Sequence, residues 1–257
     1  MRKKKYTKDV SQSFQFAKIK KRSMQLSKYL TQAGVCSRRK AVELIKSGQV
    51  TVNGTLVTEP WHIVLDGQAV KVNNRVVRPE KKIYLVLNKP KGYVCTLSDE
   101  HARQTVLELI KPQIKERLYP IGRLDYDTTG LLIMTNDGDL AQRLAHPSFQ
   151  VQKVYTAILD RPLTSENAVK LRKGVRLPDG VVAVDNVRYS PIKKNVSISL
   201  HSGKYRIIKR LFARLGYHVL ALERTQFANL SVRGMQLGSW RFLTNTEITR
   251  LKKQTQR

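Results

Sequence analysis

The chain has 257 residues, enough for one large domain or for a large and a small one, and 41% of them are hydrophobic, which suffices for a packed core. Its formal net charge of +29 at pH 7 predicts a polyanionic partner. Nucleic acid is favoured over an anionic membrane surface, because no amphipathic membrane helix is evident. No apolar run reaches the roughly eighteen residues of a membrane span and no signal peptide is visible, so we expect a cytoplasmic protein.

Cysteine and histidine usage excludes two further classes of protein. The two cysteines, Cys36 and Cys95, lie far apart and form no Cys-x-x-Cys pattern, so we predict no disulfide framework and a reducing compartment. The five histidines are scattered without the spacing of metal ligands. We therefore predict no structural or catalytic metal.

The first segment of the chain, residues 1–23, is strongly basic. It contains nine Lys or Arg and one Asp, with almost no apolar periodicity, which predicts a disordered arm. Such an arm either binds phosphate groups non-specifically or only keeps the chain soluble. The sequence favours neither interpretation over the other.

Residues 24–72 have the pattern of a small compact unit. Ser37 is the expected N-cap of a second helix, and Asn53-Gly54 predicts a tight hairpin turn. Three basic residues lie together at the start of that helix, where the helix dipole adds to their field: Arg38, Arg39 and Lys40. The cluster suits phosphate binding, although an isolated cluster of this kind is more often a solvated face.

The remainder of the chain follows a linker that we predict at residues 73–81, where Pro79 and several charges occur. Over residues 82–257 short apolar strands and amphipathic helices alternate irregularly. This pattern predicts an α+β fold whose sheet is mainly antiparallel or mixed and is flanked by helices.

The most informative segment runs from Gly122 to Gly138 and reads GRLDYDTTGLLIMTNDG. Its glycines and its apolar second half indicate a turn that leads into a strand. A carboxylate on such a turn is exposed, oriented and close to a cationic neighbour, which makes Asp125 a candidate functional residue. Most Arg-x-Asp pairs on turns are structural, so the residues alone make Asp125 no more than a candidate.

Four segments in order resemble the RsuA/RluB-type family of ribosomal RNA pseudouridine synthases. The four segments are LNKPKGYVCT (87–96), YPIGRLD (119–125), KVY (153–155) and SGKYRIIKRLF (202–212). Residues 24–72 resemble the small RNA-binding domain first named from ribosomal protein S-four. Each short motif is weak alone, but four in this order beside that domain are a specific match.

The resemblance implies the pseudouridine synthase fold and the isomerisation of uridine to pseudouridine in ribosomal RNA, without a cofactor. It implies Asp125 as the catalytic carboxylate, acting either as nucleophile or as the base that starts glycosidic cleavage. It further implies Lys209 as the cation beside Asp125 and Tyr155 as the aromatic ring that packs on the flipped uracil. Arg123 would enter the RNA stack in place of the extruded base.

The residues also permit simpler interpretations. Lys209 lies at the border of an apolar helix face, and the residues alone favour an ordinary surface lysine there. A tyrosine on a strand, such as Tyr155, is more often a core residue. We interpret Asp127 as a turn or cap residue. Further RNA contacts are expected from basic residues of both domains: Lys28, Arg38, Arg39, Lys40, Arg206 and Arg210.

Two positions depart from the family pattern. Ile207 stands where the family usually carries glutamine, and Ser202 stands where an acidic residue is common. A second hypothesis is therefore an RNA-binding assembly factor that keeps the fold without the activity. A third, weaker one is a basic protein that binds nucleic acid or membranes non-specifically. Our leading expectation is a monomeric enzyme whose partner is ribosomal RNA of either subunit.

Overall fold

The computed structural model describes residues 23–97, 99–110 and 113–256. The chain divides into two compact units, the first ending at Arg78 and the second beginning at Pro79. The disordered arm predicted for residues 1–23 lies outside the described residues, apart from Ser23. No helix in the described part of the chain is long and apolar enough to cross a membrane.

The described residues of the first unit, from Ser23 onward, form two helices and six short strands. In chain order they are β1 (Ser23–Gln25), α1 (Leu26–Gln32), α2 (Arg38–Lys46), β2 (Val50–Val52), β3 (Thr55–Leu56), β4 (Ile63–Leu65), β5 (Val70–Val72) and β6 (Arg75–Val77). Four strands form an antiparallel sheet in the order β3-β2-β5-β6, and β1 pairs with β4. Leu30, Ile45 and Val50 are fully buried in one cluster, which joins the helices to the sheet.

Local sequence signals determine where the elements of the first unit begin. Ser37 caps α2 by accepting a hydrogen bond from the backbone N–H of Lys40 at 3.3 Å. Asn53 and Gly54 both have positive φ, as the two-residue hairpin turn between β2 and β3 requires. Both of these predictions are confirmed.

The linker predicted at residues 73–81 does not begin where we expected. Arg75–Val77 pairs with β5 as the edge strand β6. Asn73 and Asn74, both with positive φ, form the hairpin turn between the two strands. The charges and Pro79 suggested a linker because edge strands and linkers are both polar and exposed.

In the second unit the described residues form eleven strands, four helices and a 3-10 turn at Pro147–Phe149. Its first half contains β7 (Tyr84–Lys89), β8 (Tyr119–Ile121), β9 (Thr129–Thr135), α3 (Gly138–Ala145), β10 (Lys153–Leu159), α4 (Ser165–Lys173), β11 (Val175–Leu177) and β12 (Gly180–Val182). Its second half contains β13 (Asn186–Tyr189), β14 (Asn195–Leu200), α5 (Ile207–Arg214), β15 (Val219–Phe227), β16 (Leu230–Ser231), β17 (Trp240–Phe242) and α6 (Asn245–Gln254).

A nine-stranded sheet forms the frame of this unit, with the central order β13-β14-β10-β15-β9-β7-β17. β16 pairs with β15, and β8 pairs with β9. The β9–β15 pairing is parallel, whereas the other pairings of this sheet are antiparallel. The predicted α+β fold with a mixed sheet is therefore confirmed.

Both faces of the central strands are covered. In β7, Leu85 and Leu87 contribute to one apolar cluster, whereas Tyr84 and Val86 contribute to the other. The alternation follows from the two-residue period of a strand. Helix α5 packs on the first face through its buried residues, and α3 and α6 pack on the second.

The C-terminal helix α6 begins with two reciprocal hydrogen bonds. The Thr244 hydroxyl accepts a hydrogen bond from the backbone N–H of Glu247 at 3.2 Å, and the Glu247 carboxylate accepts one from the N–H of Thr244 at 2.9 Å. This is the capping box expected from the Thr-x-x-Glu pattern. It satisfies two of the N–H groups that the start of a helix leaves unpaired.

Gly130 allows the backbones of β9 and β15 to approach closely. Its φ is +104°, a conformation that side chains rarely adopt. A Cβ atom at this position would collide with the carbonyl oxygen of Arg224 and would lie 2.8 Å from its backbone nitrogen. The parallel pairing of β9 with β15 therefore requires glycine at position 130.

We predict that Gly130→Ala lowers the free energy of unfolding by about 3 kcal/mol, because the new methyl group meets backbone that cannot rotate away. Urea denaturation measures the change. Gly203→Ala is the matched control, since a Cβ at Gly203 has no atom within 4 Å. Equal stability of the two variants would contradict the close approach.

Candidate active site

Asp125 lies on the loop between β8 and β9, at the edge of a cleft in the second unit. The backbone N–H of Thr128 donates to the Asp125 carbonyl oxygen at 3.1 Å and closes the turn. On the preceding side, the N–H of Leu124 donates to the Cys95 Sγ at 3.4 Å. The loop is therefore held by contacts at both of its ends.

Lys89, the last residue of β7, is fully buried beneath this loop. Its Nζ donates to the carbonyl oxygens of Asp125 at 3.1 Å, Thr128 at 2.9 Å and Pro90 at 3.1 Å. Burial lowers the pKa of the ammonium group. Because an ammonium has three donors, these three carbonyls satisfy it, and Lys89 ties the conformation of the loop to the sheet.

Lys209 of α5 reaches the loop from a different helix. Its side chain is 12% exposed, and its Nζ lies 3.8 Å from an Asp125 carboxylate oxygen. The structure therefore brings together the two charged residues that the family resemblance paired. Their sequence separation shows why the residues alone could not establish the contact.

The nearest partner of Lys209 is nevertheless Asp127. The Nζ donates to both Asp127 carboxylate oxygens, at 2.5 and 2.6 Å. This hydrogen bond lowers the pKa of Asp127. Asp127 lies in the turn, as we interpreted it. Its carboxylate has a further role, because it holds Lys209 beside Asp125.

The cleft has a volume of about 130 Å³ and is lined by both polar and apolar residues. Asp125 and Arg123 are among the polar residues, and Ile207 and Leu222 are among the apolar ones. Among the described residues, Asp125 is the one carboxylate that lines it. Its carboxylate therefore shares the cleft with several cations.

Tyr155 of β10 also lines the cleft and is 8% exposed. It belongs to the same strand face as the apolar core, so the structural and the functional interpretation of this tyrosine both fit its position. Ile207, which replaces the glutamine usual in the family, is buried in the cleft wall with 5% exposure. An aliphatic side chain there makes that wall apolar.

The candidate RNA-binding residues of the second unit separate into two groups. Arg123 and Arg206 are exposed and line the cleft. Arg210 instead forms a bidentate ion pair with Asp179 and donates to the Tyr205 carbonyl oxygen at 3.1 Å. The Arg210 guanidinium is therefore already paired with Asp179. The spacing of Arg210 along its helix could not show this, because Asp179 lies outside the helix.

The other candidates lie in the first unit. Arg38 and Arg39 are exposed in the first turn of α2, and Lys40 beside them pairs with Glu43 at 3.0 Å. Lys28 is half-buried in α1. Of these residues, Arg38 and Arg39 are consequently the most accessible to a phosphate group.

Sequence reasoning missed two buried cations in the cleft, Lys153 and Arg224. They are 8% and 2% exposed, and both line the cleft with Asp125. Burial, with a contribution from the Arg224 charge, lowers the pKa of Lys153 to about 8. A signal existed for Lys153, because it stands two residues before Tyr155 on a strand and must share its face.

A β-bulge places Arg224 in this position. Tyr155 pairs with Arg224 and Val154 pairs with Gln226, so Thr225 is an extra residue in β15. A bulge shifts the alternation of the strand by one residue. Arg224 and Phe227 therefore both face the cleft although they lie three positions apart.

Within the described ranges, no group of three or more His, Cys, Asp or Glu side chains could hold a metal ion. The functional groups of the cleft are thus a carboxylate, a phenol and several cations. Such a set can position an anionic substrate and can support nucleophilic or base chemistry at one carbon.

Two family profiles match the chain. The profile described as RNA pseudouridylate synthase matches residues 83–214, and the profile of the S4 domain matches residues 24–69. The first range contains Asp125, Tyr155 and Lys209. The second contains Arg38 and Arg39.

Whole-chain comparisons agree with these matches. The chain is 39% identical to the ribosomal large subunit pseudouridine synthase B of Bacillus subtilis over 88% of this chain and 95% of that protein. It is 35% identical to the dual-specificity RNA pseudouridine synthase RluF of Salmonella typhi, over 90% of this chain and 79% of that protein. A solved pseudouridylate synthase structure superposes with a TM-score of 0.65 at 26% identity, covering 89% of this chain and 99% of that one.

We predict that Lys89→Met lowers the free energy of unfolding by about 3 kcal/mol, because the substitution leaves buried carbonyl oxygens without donors. Hydrogen exchange should accelerate across residues 124–129, where the loop loses its anchor. Lys91→Met, at an exposed position nearby, is the control and should change neither quantity. Unchanged exchange in Lys89→Met would show that the loop is held by other contacts.

Proposed function

The chain belongs to the RNA pseudouridylate synthase family, and from that premise we propose that it isomerises uridine to pseudouridine in ribosomal RNA with Asp125 as the catalytic carboxylate. One observation carries the residue assignment. Asp125 is the one carboxylate among the described residues that line the cleft, and Lys209 places a positive charge 3.8 Å from it.

The chemistry requires a carboxylate at this place. The reaction breaks the bond between the anomeric carbon and N1 of uracil, turns the base and joins C5 to the same carbon. It needs no oxidant, phosphate donor or cofactor. Asp125 either attacks the anomeric carbon as a nucleophile or removes the 2′ proton as a base, and both routes place an oxygen of Asp125 beside the ribose.

We assign the other residues of the cleft by their positions. Tyr155 would pack against the flipped uracil, since its ring lines the buried end of the cleft. Arg123 would enter the gap in the RNA stack, since it is exposed at the rim beside Asp125. Asp127 would keep Lys209 at the mouth of the site.

Residues 24–72 would bind the RNA while residues 82–257 perform the reaction. The exposed pair Arg38 and Arg39 at the start of α2, together with the charge of +29, supports phosphate binding. The Bacillus subtilis relative is named for the large ribosomal subunit, so large-subunit RNA is the first substrate to test. We propose a monomer that acts in the cytoplasm, where Cys36 and Cys95 stay reduced.

A non-catalytic RNA-binding assembly factor is the second candidate function. Ile207 favours it, because a buried aliphatic side chain replaces an amide that could donate a hydrogen bond in the cleft. The proximity of Lys209 to Asp125 favours the enzyme instead. The following assay separates the two.

We predict that the purified protein, without added cofactor, forms pseudouridine at one position of unmodified ribosomal RNA and that Asp125→Asn forms none. The loss should exceed about 10⁴-fold, while the Kd for RNA stays within about threefold, because the amide keeps the shape and loses the nucleophile. Nucleotide-resolution mapping of pseudouridine measures the product.

The control for this assay is Asp139→Asn in the first turn of α3, a half-buried position outside the lining of the cleft, which should keep full activity. Absence of product with the wild-type protein on both subunit RNAs and on partly assembled subunits would favour the assembly factor. Equal loss of RNA affinity in Asp125→Asn would instead show that Asp125 is structural.

A second prediction concerns the first unit. Arg38→Gln combined with Arg39→Gln should reduce the slope of log Kd against log salt by about 1.5, because two phosphate contacts are lost. The matched control is Lys193→Gln with Lys194→Gln, which removes two exposed charges before β14 of the second unit. Filter binding over a salt series measures both, and identical slopes would contradict a docking role for α2.

A further inference from the structure

Lys153 and Arg224 form a cationic floor in the cleft without an acidic partner. They are 8% and 2% exposed, and neither forms a salt bridge with an acidic side chain in the described part of the chain. Removing a cation from water is unfavourable unless another charge or a set of hydrogen bonds compensates for it. Two adjacent buried cations therefore need an explanation beyond packing.

Their hydrogen bonds leave donors free. Lys153 Nζ donates to the carbonyl oxygens of Val151 at 2.9 Å and His201 at 3.1 Å, which uses two of its three N–H groups. Arg224 Nε donates to the Leu131 carbonyl oxygen at 2.8 Å. Its Nη2 is buried and has no hydrogen-bond partner among the described residues. The floor is thus built to receive an acceptor from the cleft.

Aromatic and aliphatic side chains surround this floor. The Phe227 ring lies against both cations, 5.4 Å from Lys153 Nζ and 5.1 Å from the Arg224 guanidinium carbon. Leu222 and Ile207 line the adjoining walls. In such a low-dielectric space a charge on a bound group interacts with the cations far more strongly than it would in water.

The burial of Lys153 and Arg224 indicates which part of an RNA could contact them. The exposed cations Arg123, Lys204 and Arg206 also line the cleft and are available to the phosphates, which stay on the strand outside. A flipped nucleotide enters with its base first. The oxygens that reach buried Lys153 and Arg224 are therefore those of the base.

We propose that Lys153 and Arg224 bind the uracil anion that is released when the glycosidic bond breaks. This inference rests on the proposed isomerase function and adds a role that Asp125, Tyr155 and Lys209 do not fill. Uracil is neutral while it is joined to the ribose. It gains its negative charge only during cleavage, so the two cations stabilise the transition state more than the bound substrate.

The electrons and protons balance along either route. When the bond from C1′ to N1 breaks, its electron pair stays on the base and spreads over N1 and the two carbonyl oxygens. C1′ gains either a bond to an Asp125 oxygen or, after the 2′ proton moves to that oxygen, a double bond to C2′. After the base turns, C5 joins C1′. On the first route the bond from C1′ to Asp125 breaks in this step, and on the second route the 2′ proton returns from Asp125 to C2′. On both routes a proton then passes from C5 to N1. No oxidant or co-reactant is consumed.

The test compares single-turnover rates of glycosidic cleavage on two synthetic RNA fragments. One carries uridine at the modified position, and the other carries 5-fluorouridine, whose fluorine withdraws charge and makes the base a better leaving group. Lys153→Gln removes the cation but keeps two N–H donors for the carbonyls of Val151 and His201. Loss of the original nucleoside after complete digestion measures cleavage on both fragments.

We expect Lys153→Gln to cleave the uridine fragment about 100-fold more slowly than the wild type, with the Kd for RNA within about twofold. On the 5-fluorouridine fragment the deficit should be at least about threefold smaller, because a more stable anion depends less on the cation. Lys194→Gln removes one exposed charge and is the control, which should show no deficit on either fragment. Arg224→Gln provides the same comparison if Lys153→Gln does not fold.

Three results would overturn the inference: no rate deficit, equal deficits on the two fragments, or a loss that appears only in the Kd. The last result would identify an RNA phosphate as the anion bound by the floor. Failure of the proposed function itself is distinct, since the wild-type protein would then leave both fragments intact.

Discussion

The buried ammonium group of Lys89 is the interaction on which the active-site cleft depends. A charge in the core is tolerated there because three carbonyl oxygens, two of them from the loop at Asp125 and Thr128, accept its hydrogen bonds. The charge and the loop therefore stabilise each other. If the loop opened, the ammonium would lose two of its three acceptors, and this coupling holds the backbone of the Asp125 loop in place.

The sheet brings further charges to the same place. The parallel contact of β9 with β15, made possible by Gly130, sets Arg224 beside the strand that follows the Asp125 loop. The bulge in β15 then turns Arg224 towards the cleft. Lys209, held by Asp127, adds a further charge beside Asp125. The result is a carboxylate with several cations close by, as the proposed reaction requires.

Short-range signals in the sequence determined many of the elements. The Ser37 cap, the Asn53-Gly54 turn and the capping box at Thr244 all involve hydrogen bonds or torsions within about three residues, so their patterns can be read directly. We did not predict strand β6, because a polar segment becomes a strand only when a neighbouring strand, here β5, pairs with it. The paired asparagines before it, at positions 73 and 74, were the available signal.

The sequence by itself determined the α+β class, the basic character, and Asp125, Tyr155 and Lys209 as the candidate residues, through ordered motifs that resemble one family. Only the tertiary structure decided their partners: Lys209 bonds to Asp127 across a separation of 82 residues, and Arg210 is occupied by Asp179. The physical reason is range. Caps, turns and strand alternation follow from a few consecutive residues, whereas ion pairs and buried cations depend on which strands and helices the folded chain sets side by side.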